Sequence, residues 1–151
     1  MTVDLARRQT SVSRVIAASP QQLFDVLTDA SLHAVIDGSG TVRGARGSER
    51  LTMGSKFGME MKIGVPYRTS NVVVEFEPNR RIAWRHAVRH RWRFTLEEVE
   101  GGTEVTETFD WSTALVPKFI ELAGYPARHE PNMERTLERL DSFVTNRTPA
   151  L

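Results

Sequence analysis

Apolar side chains along this chain change their spacing twice, and the changes divide it into three stretches. Thr10 to Ala17 alternates, which predicts a strand. In "SPQQLFDVLTDA" Leu23, Phe24, Val26 and Leu27 fall instead on one helical face, predicting a helix over about 20–29. Ser19 stands as its N-cap with Gln22 three residues on, and Pro20 suits the first helical position. A shorter helical turn over Ser31 to Ile36 follows, capped by Ser31 or Asp29.

The middle of the chain reads as strand. In "KFGMEMKIGV" Phe57, Met59, Met61, Ile63 and Val65 share one face. "SNVVVEFEPN" sets Val72, Val74 and Phe76 on one side and ends in a Pro78-Asn79 turn. "RRIAWRH" gives Ile82, Trp84 and His86 a common face. "HRWRFTLEEV" gives His90, Trp92, Phe94 and Leu96 one, opposed by Arg89, Arg91, Arg93 and Thr95. A hairpin turn at "EGGTEV" leads into a last strand, Thr103 to Thr113, with Val105, Phe109 and Trp111 on one face. One-sided alternation of this kind predicts an antiparallel sheet with one wet face.

The last third returns to helical spacing. "LVPKFIELAGYP" predicts a short apolar helix opened by Pro117 and stopped at Gly124. From about Pro131 to Asn146 a longer helix is expected, with Met133, Leu137, Leu140 and Val144 on one stripe. It would be about 25 Å long, enough to cross the sheet. One rod about 10 Å wide does not fill the concave face of so broad a sheet, so large side chains or a cavity must close the gap.

These pieces in this order resemble the START/polyketide cyclase-like (SRPBCC) superfamily. The resemblance is carried by "VIAASPQQLFDVLTDA", "HAVIDGSG", "PNRRIAWRH", "WRFTLEEVEGGTEVTETFDW" and "MERTLERLDSFV", and it spans roughly Ser11 to Val144. It implies an α+β helix-grip fold in one domain. A curved antiparallel sheet of about seven strands would wrap a long C-terminal helix, with two short helices between strands one and two. It also implies an internal pocket; relatives bind lipids, sterols, hormones or polyketides, and some cyclise or dehydrate them. In such a fold "HAVIDGSGTV" is the corner that ends the second helix. Gly38 and Gly40 permit the reversal, and Ala34, Val35 and Ile36 pack beneath the sheet edge. The rival reading makes His33 and Asp37, four apart, an acid–base pair at the pocket mouth.

Composition narrows the chemistry. The 151 residues carry a net charge of +1, with 40% hydrophobic and 26% charged residues, which points to neither nucleic acid nor a membrane surface. Cysteine is absent, which excludes disulfides, thiol nucleophiles and cysteine-held metals. No apolar run is long enough to span a bilayer, so a cytoplasmic protein without stable membrane insertion is expected. His86 and His90, with Glu107, invite a metal hypothesis, but the two histidines flank a turn, and neither metal nor cofactor is expected. The arginines of "RHAVRHRWRF" form an outer stripe that neighbouring Glu75, Glu77, Glu97 and Glu98 can neutralise.

The expected partner is a small hydrophobic molecule. Its lining would combine Phe57, Met59, Met61, Val74 and Phe76 with Trp84, Trp92, Phe94, Phe109 and Trp111 from the sheet. Met133 and Leu137 would face it from the long helix, and Tyr67 would stand at the rim. Phe119 and Tyr125 would join from the segment Leu115 to Arg128, read as a lid. Glu107 shares the parity of Val105 and Phe109. Either it points inward and is answered by Arg14, or a bulge flips it into water. An inward Glu107 with Arg14 and His33 would serve a cyclase or dehydratase without metal. A protein-interaction or chaperone-linked domain is the third reading, and the oligomeric state is left open.

Overall fold

The computed structural model describes residues 2–37, 42–46, 50–63, 65–85 and 89–146; at 2, 42–46, 59–63 and 66–69 the description covers the backbone. The expected helix-grip architecture is present: a curved antiparallel sheet gripping a long C-terminal helix. The strands are β1 (Thr2–Asp4), β2 (Gln9–Ile16), β3 (Val42–Arg46), β4 (Lys56–Ile63), β5 (Val65–Glu77), β6 (Arg81–Arg85), β7 (Arg91–Val99) and β8 (Gly102–Asp110). They lie in the order β1-β2-β8-β7-β6-β5-β4-β3, so the first long strand pairs with the last. The three-residue β1, beyond the strands read from the sequence, folds back on β2 through a turn at Leu5–Arg8.

Four α-helices cover one face: α1 (Pro20–Leu27), α2 (His33–Ile36), α3 (Pro117–Leu122) and α4 (Tyr125–Asn146). The capping box of α1 forms as its sequence requires, with Gln22 N–H donating to Ser19 Oγ at 3.1 Å and Ser19 N–H to Gln22 Oε1 at 2.9 Å. Leu23, Phe24, Val26 and Leu27 are all buried. Gly124, at a φ of +74°, separates α3 from α4. The long helix then begins at Tyr125, six residues before the expected start, and runs through Pro131. Proline in a helix interior removes one backbone hydrogen bond. Here the buried stripe of Pro126, Met133, Thr136, Leu137, Leu140 and Val144 holds the helix continuous. Each large apolar side chain on it contributes about 1.5–3 kcal/mol of burial.

Strand alternation holds on β6, β7 and β8, and it fails on β5. The β5–β6 register pairs Val73 with Trp84 and then Glu75 with Ala83, leaving Val74 as the extra residue of a bulge. Upstream of it the parity is therefore reversed. Asn71 and Val73 are buried beneath the helices, where Val72 and Val74 were expected; those two are half-buried. Outside, the guanidinium of Arg93 grips Glu75 through two bonds of 2.9 and 2.7 Å, Arg91 adds one of 2.8 Å, and Arg93 also reaches Asp110 at 3.0 Å. Two arginines of the stripe, Arg91 and Arg93, are thus paired within their own sheet, chiefly by Glu75, whose carboxyl they hold down at about 2.

The β7–β8 turn separates two kinds of glycine. Gly102 has a φ of +149°, and a Cβ there would lie 2.0 Å from the carbonyl oxygen of Ile16. Gly101 has a φ of +88° with open space around it. Gly102→Ala should therefore lower the unfolding free energy by roughly 2–4 kcal/mol, against about 1 kcal/mol for Gly101→Ala. Urea melts of the two variants check this, and equal losses would contradict the close approach.

Candidate functional site

Among the described residues, three buried polar side chains of the concave face have hydrogen-bonding groups that are incompletely satisfied. His33 opens α2, the single turn that follows a 3-10 turn at Ala30–Leu32 capped by Asp29. Its ring stacks on Trp84 at 4.8 Å and 21°, and meets Phe57 edge-on at 5.5 Å. Nε2 lies 3.0 Å from the carbonyl oxygen of Leu27. A carbonyl only accepts, so Nε2 bears the hydrogen. Nδ1 is buried with no hydrogen-bond partner. Burial pulls the pKa of this imidazole down, so its neutral form is favoured and Nδ1 is a bare acceptor.

Asn71 sits on β5 directly across from Phe57, 1% exposed, and neither its Nδ2 nor its Oδ1 has a partner. Glu107 sits on β8 between Val12 and Phe94, and its Oε1 is likewise unpartnered. Burial pushes the Glu107 carboxyl well above its ordinary value, and the nearby Asp37 carboxylate adds to the shift. Aromatic rings connect the three positions. Trp84 lies 5.7 Å from Phe57 and 5.8 Å from Phe94, the cross-strand neighbours of Asn71 and Glu107.

A second cluster adjoins the start of α4. His129 packs 4.6 Å from Phe109 and 5.0 Å from Trp92, and stacks on Tyr125 at 5.8 Å. Burial, with Arg128 beside it, pushes this histidine down to about 4. Its stabilising contribution is present above 6.5 and is lost as the pH falls toward about 4.

The other expected site residues divide clearly. Phe57, Trp84, Phe94, Phe109, Trp111, Met133 and Leu137 are buried, and Phe76 is half-buried against Phe24 at 5.5 Å. Trp92 is partly buried against the same core. The Trp111 indole N–H donates to Glu121 at 2.8 Å, which ties it to α3. Arg14 does not answer Glu107. It pairs across the sheet with Val105, lies at the exposed flank of α4, and bonds Asp141 at 2.7 Å. An open groove of about 280 Å³ there is lined by Val12, Ser13, Arg14, Glu134, Leu137 and Glu138. Phe119 does not face inward either: it is 62% exposed, because α3 buries only Ile120. Tyr125 is exposed at the rim, its ring reaching inward only through His129. The side chains of Met59, Met61 and Tyr67, and the residues Gly38, Gly40 and His86, lie outside the described residues.

Sequence reasoning missed Asn71 and His129. The bulge that turns Asn71 inward leaves no mark in the residue pattern. His129 had a signal, since it continues the Met133–Leu137 stripe one turn earlier, but the helix was expected to start at Pro131.

A family model described as "Polyketide cyclase / dehydrase and lipid transport" matches residues 7–144. The chain belongs to that family. Membership in the polyketide cyclase/dehydrase and lipid transport family brings a ligand-binding fold and leaves both ligand and reaction open. The chain is 37% identical over 153 residues to the uncharacterised protein Rv0088 of Mycobacterium tuberculosis, an alignment covering 96% of this chain and 68% of that one. Among solved structures, Ms6760 from Mycobacterium smegmatis matches with a TM-score of 0.73 at 14% identity over 95% of each chain. CV1439 from Chromobacterium violaceum matches with a TM-score of 0.71 at 17% identity, covering 91% of this chain and 98% of that one. At these identities the likeness is one of fold. No helix among the described residues is long and apolar enough to cross a membrane.

The unfolded chain ionises Glu107 near 4.5, whereas the folded chain does so only well above it. Between those values the fold holds a proton that the unfolded chain has lost, so stability falls as pH rises. Glutamine keeps the neutral form throughout. Glu107→Gln should raise the melting temperature more at about pH 8 than at about pH 4. Thermal melts at both pH values check it, and an equal gain at both would remove the charge penalty from the account.

Proposed function

We propose that this protein binds a small, mainly apolar molecule between the inner sheet face and the covering helices. Trp84, Phe57 and Phe94 would supply apolar contact, and His33, Asn71 and Glu107 would make its polar contacts. The observation that carries this reading is the set of unsatisfied polar atoms on those three side chains. A buried polar group without a partner costs about 1–3 kcal/mol, and a plain core would hold leucine at these positions. Groups kept at that cost, inside an aromatic surround and in a family of ligand-binding fold, are best explained by a ligand that pairs them.

A cyclase- or dehydratase-type reaction is the second reading, favoured by one observation. Glu107 is buried beside Asp37 in a way that favours its protonated form, as a general acid requires. The Arg14 half of the expected pair has no place in it, since that guanidinium bonds Asp141.

Native mass spectrometry of gently purified protein should show a bound small molecule that denaturation releases. Asn71→Leu should raise the unfolding free energy by about 1–2 kcal/mol while reducing the bound fraction. A bare protein mass, together with failure to take up any compound from an apolar cell extract, would end the reading.

A further inference from the structure

The apolar side chains of α3 and of the residues leading into it point away from the core. Leu122 is 88% exposed, Leu115, Val116 and Phe119 are each more than half exposed, and Tyr125 stands at their edge. Val116, Phe119 and Leu122 follow at spacings of three, along one side of a helical segment. Their exposure is built into the way the segment is held. Ala114 and Ile120 are buried, and Glu121 takes the Trp111 indole N–H at 2.8 Å and Arg8 at 2.9 Å. With the inner side of α3 fixed at these points, Phe119 and Leu122 face out.

The charges left free around this patch have one sign, although the chain as a whole carries only +1. From Ser112 to His129 the acidic and basic side chains are Lys118, Glu121 and Arg128, and Glu121 is paired with Arg8. Arg89 adjoins them, since Thr113 Oγ1 donates to its carbonyl oxygen at 2.7 Å. Arg89, Lys118 and Arg128 are exposed, and among the described residues they form no ion pair. The Arg128 guanidinium lies 5.7 Å over the Tyr125 ring, at the border of the apolar stripe. The next carboxylate along the chain, Glu130, is half-buried on α4.

We propose that this patch docks on the surface of an anionic lipid bilayer. Leu115, Val116, Phe119 and Leu122 enter the headgroup boundary, while Arg89, Lys118 and Arg128 meet the lipid charges. Exposed apolar side chains bordered by cations, with a tyrosine at the edge, supply both forces of interfacial binding: apolar burial and attraction to anionic headgroups. A second copy of the chain fits less well, because a two-fold contact would set the same cations against each other. The five apolar and aromatic side chains also present only roughly 500 Å², under the about 800 Å² per partner of a standard protein interface. The proposal goes beyond the ligand-binding reading and does not depend on it, since an interior that holds nothing would leave this patch unchanged.

Vesicle flotation tests it. Phosphatidylcholine vesicles carrying one part in three phosphatidylglycerol should bind the protein, and pure phosphatidylcholine should bind it about tenfold less. Phe119→Ser combined with Leu122→Ser changes exposed positions, so the melting temperature should hold while partition falls about tenfold or more. Lys118→Glu combined with Arg128→Glu should abolish the preference for the anionic vesicles. Met53→Ser, at an equally exposed apolar side chain on the turn before β4, should change nothing. Because the chain holds no cysteine, Leu122→Cys takes a polarity-sensitive dye at a single place, and its emission should shift to the blue on the anionic vesicles. Absence of binding to the anionic vesicles, binding untouched by the serine pair, or equal binding to the two vesicles overturns the proposal. A dimer in sedimentation that the serine pair dissolves overturns it too, and assigns the patch to a second copy.

Discussion

Along β2 and β8 the backbones pair without interruption from Gln9 opposite Asp110 to Ile16 opposite Thr103. Hydroxyls reinforce the pair on its outer side, Ser11 with Thr108 at 2.9 Å and Ser13 with Thr106 at 2.7 Å. This joint brings the two ends of the chain into one sheet. Its inner side sets Val12 beside Glu107, and α4 lies across it. At one end Arg8 reaches Glu121, which also takes the Trp111 indole, so the first hairpin, the last strand and α3 are pinned together. Without that joint α4 would have no floor, and the aromatic interior would open to water.

Stability and site pull against each other in this frame. The hydrophobic stripe of α4 and the buried faces of α1 and β6 to β8 favour folding strongly, and on the sheet exterior Arg91 and Arg93 pair with Glu75 while hydroxyls pair across β2 and β8. Against that surplus the interior keeps an amide, an imidazole and a carboxyl short of partners. Their cost is offset by the burial of the apolar side chains around them.

The elements legible in the sequence were those specified by local chemistry. The Ser19–Gln22 box, the Gly124 stop and the α4 stripe each depend on residues within a turn or two of one another. Alternation identified the inward Trp84, Phe94 and Phe109 because their strands are regular; for Glu107 it left an inward place and a bulge both open, and the unbroken register of β8 with its two neighbours turns it inward. Illegible features were set by distant partners. Nothing near Arg14 reveals that Asp141, far along the chain, takes its guanidinium. The exposure of Phe119 follows from how α3 docks, and the passage of α4 through Pro131 from what the helix buries beyond it. The polar core residue Asn71 was hidden for the simplest reason, since parity counting assumes that no residue is inserted.

That insertion has a consequence for how such an interior can change. With the extra residue at Val74, the strand shows Asn71 and Val73 to the inside; were the kink to sit before Asn71 instead, Val72 and Val74 would take their places. An apolar inner face and a hydrogen-bonding one are thus separated by the position of one backbone irregularity, with no amino-acid replacement. In a lineage built on this scaffold, small insertions and deletions along β5 would therefore change which of its side chains face the helices.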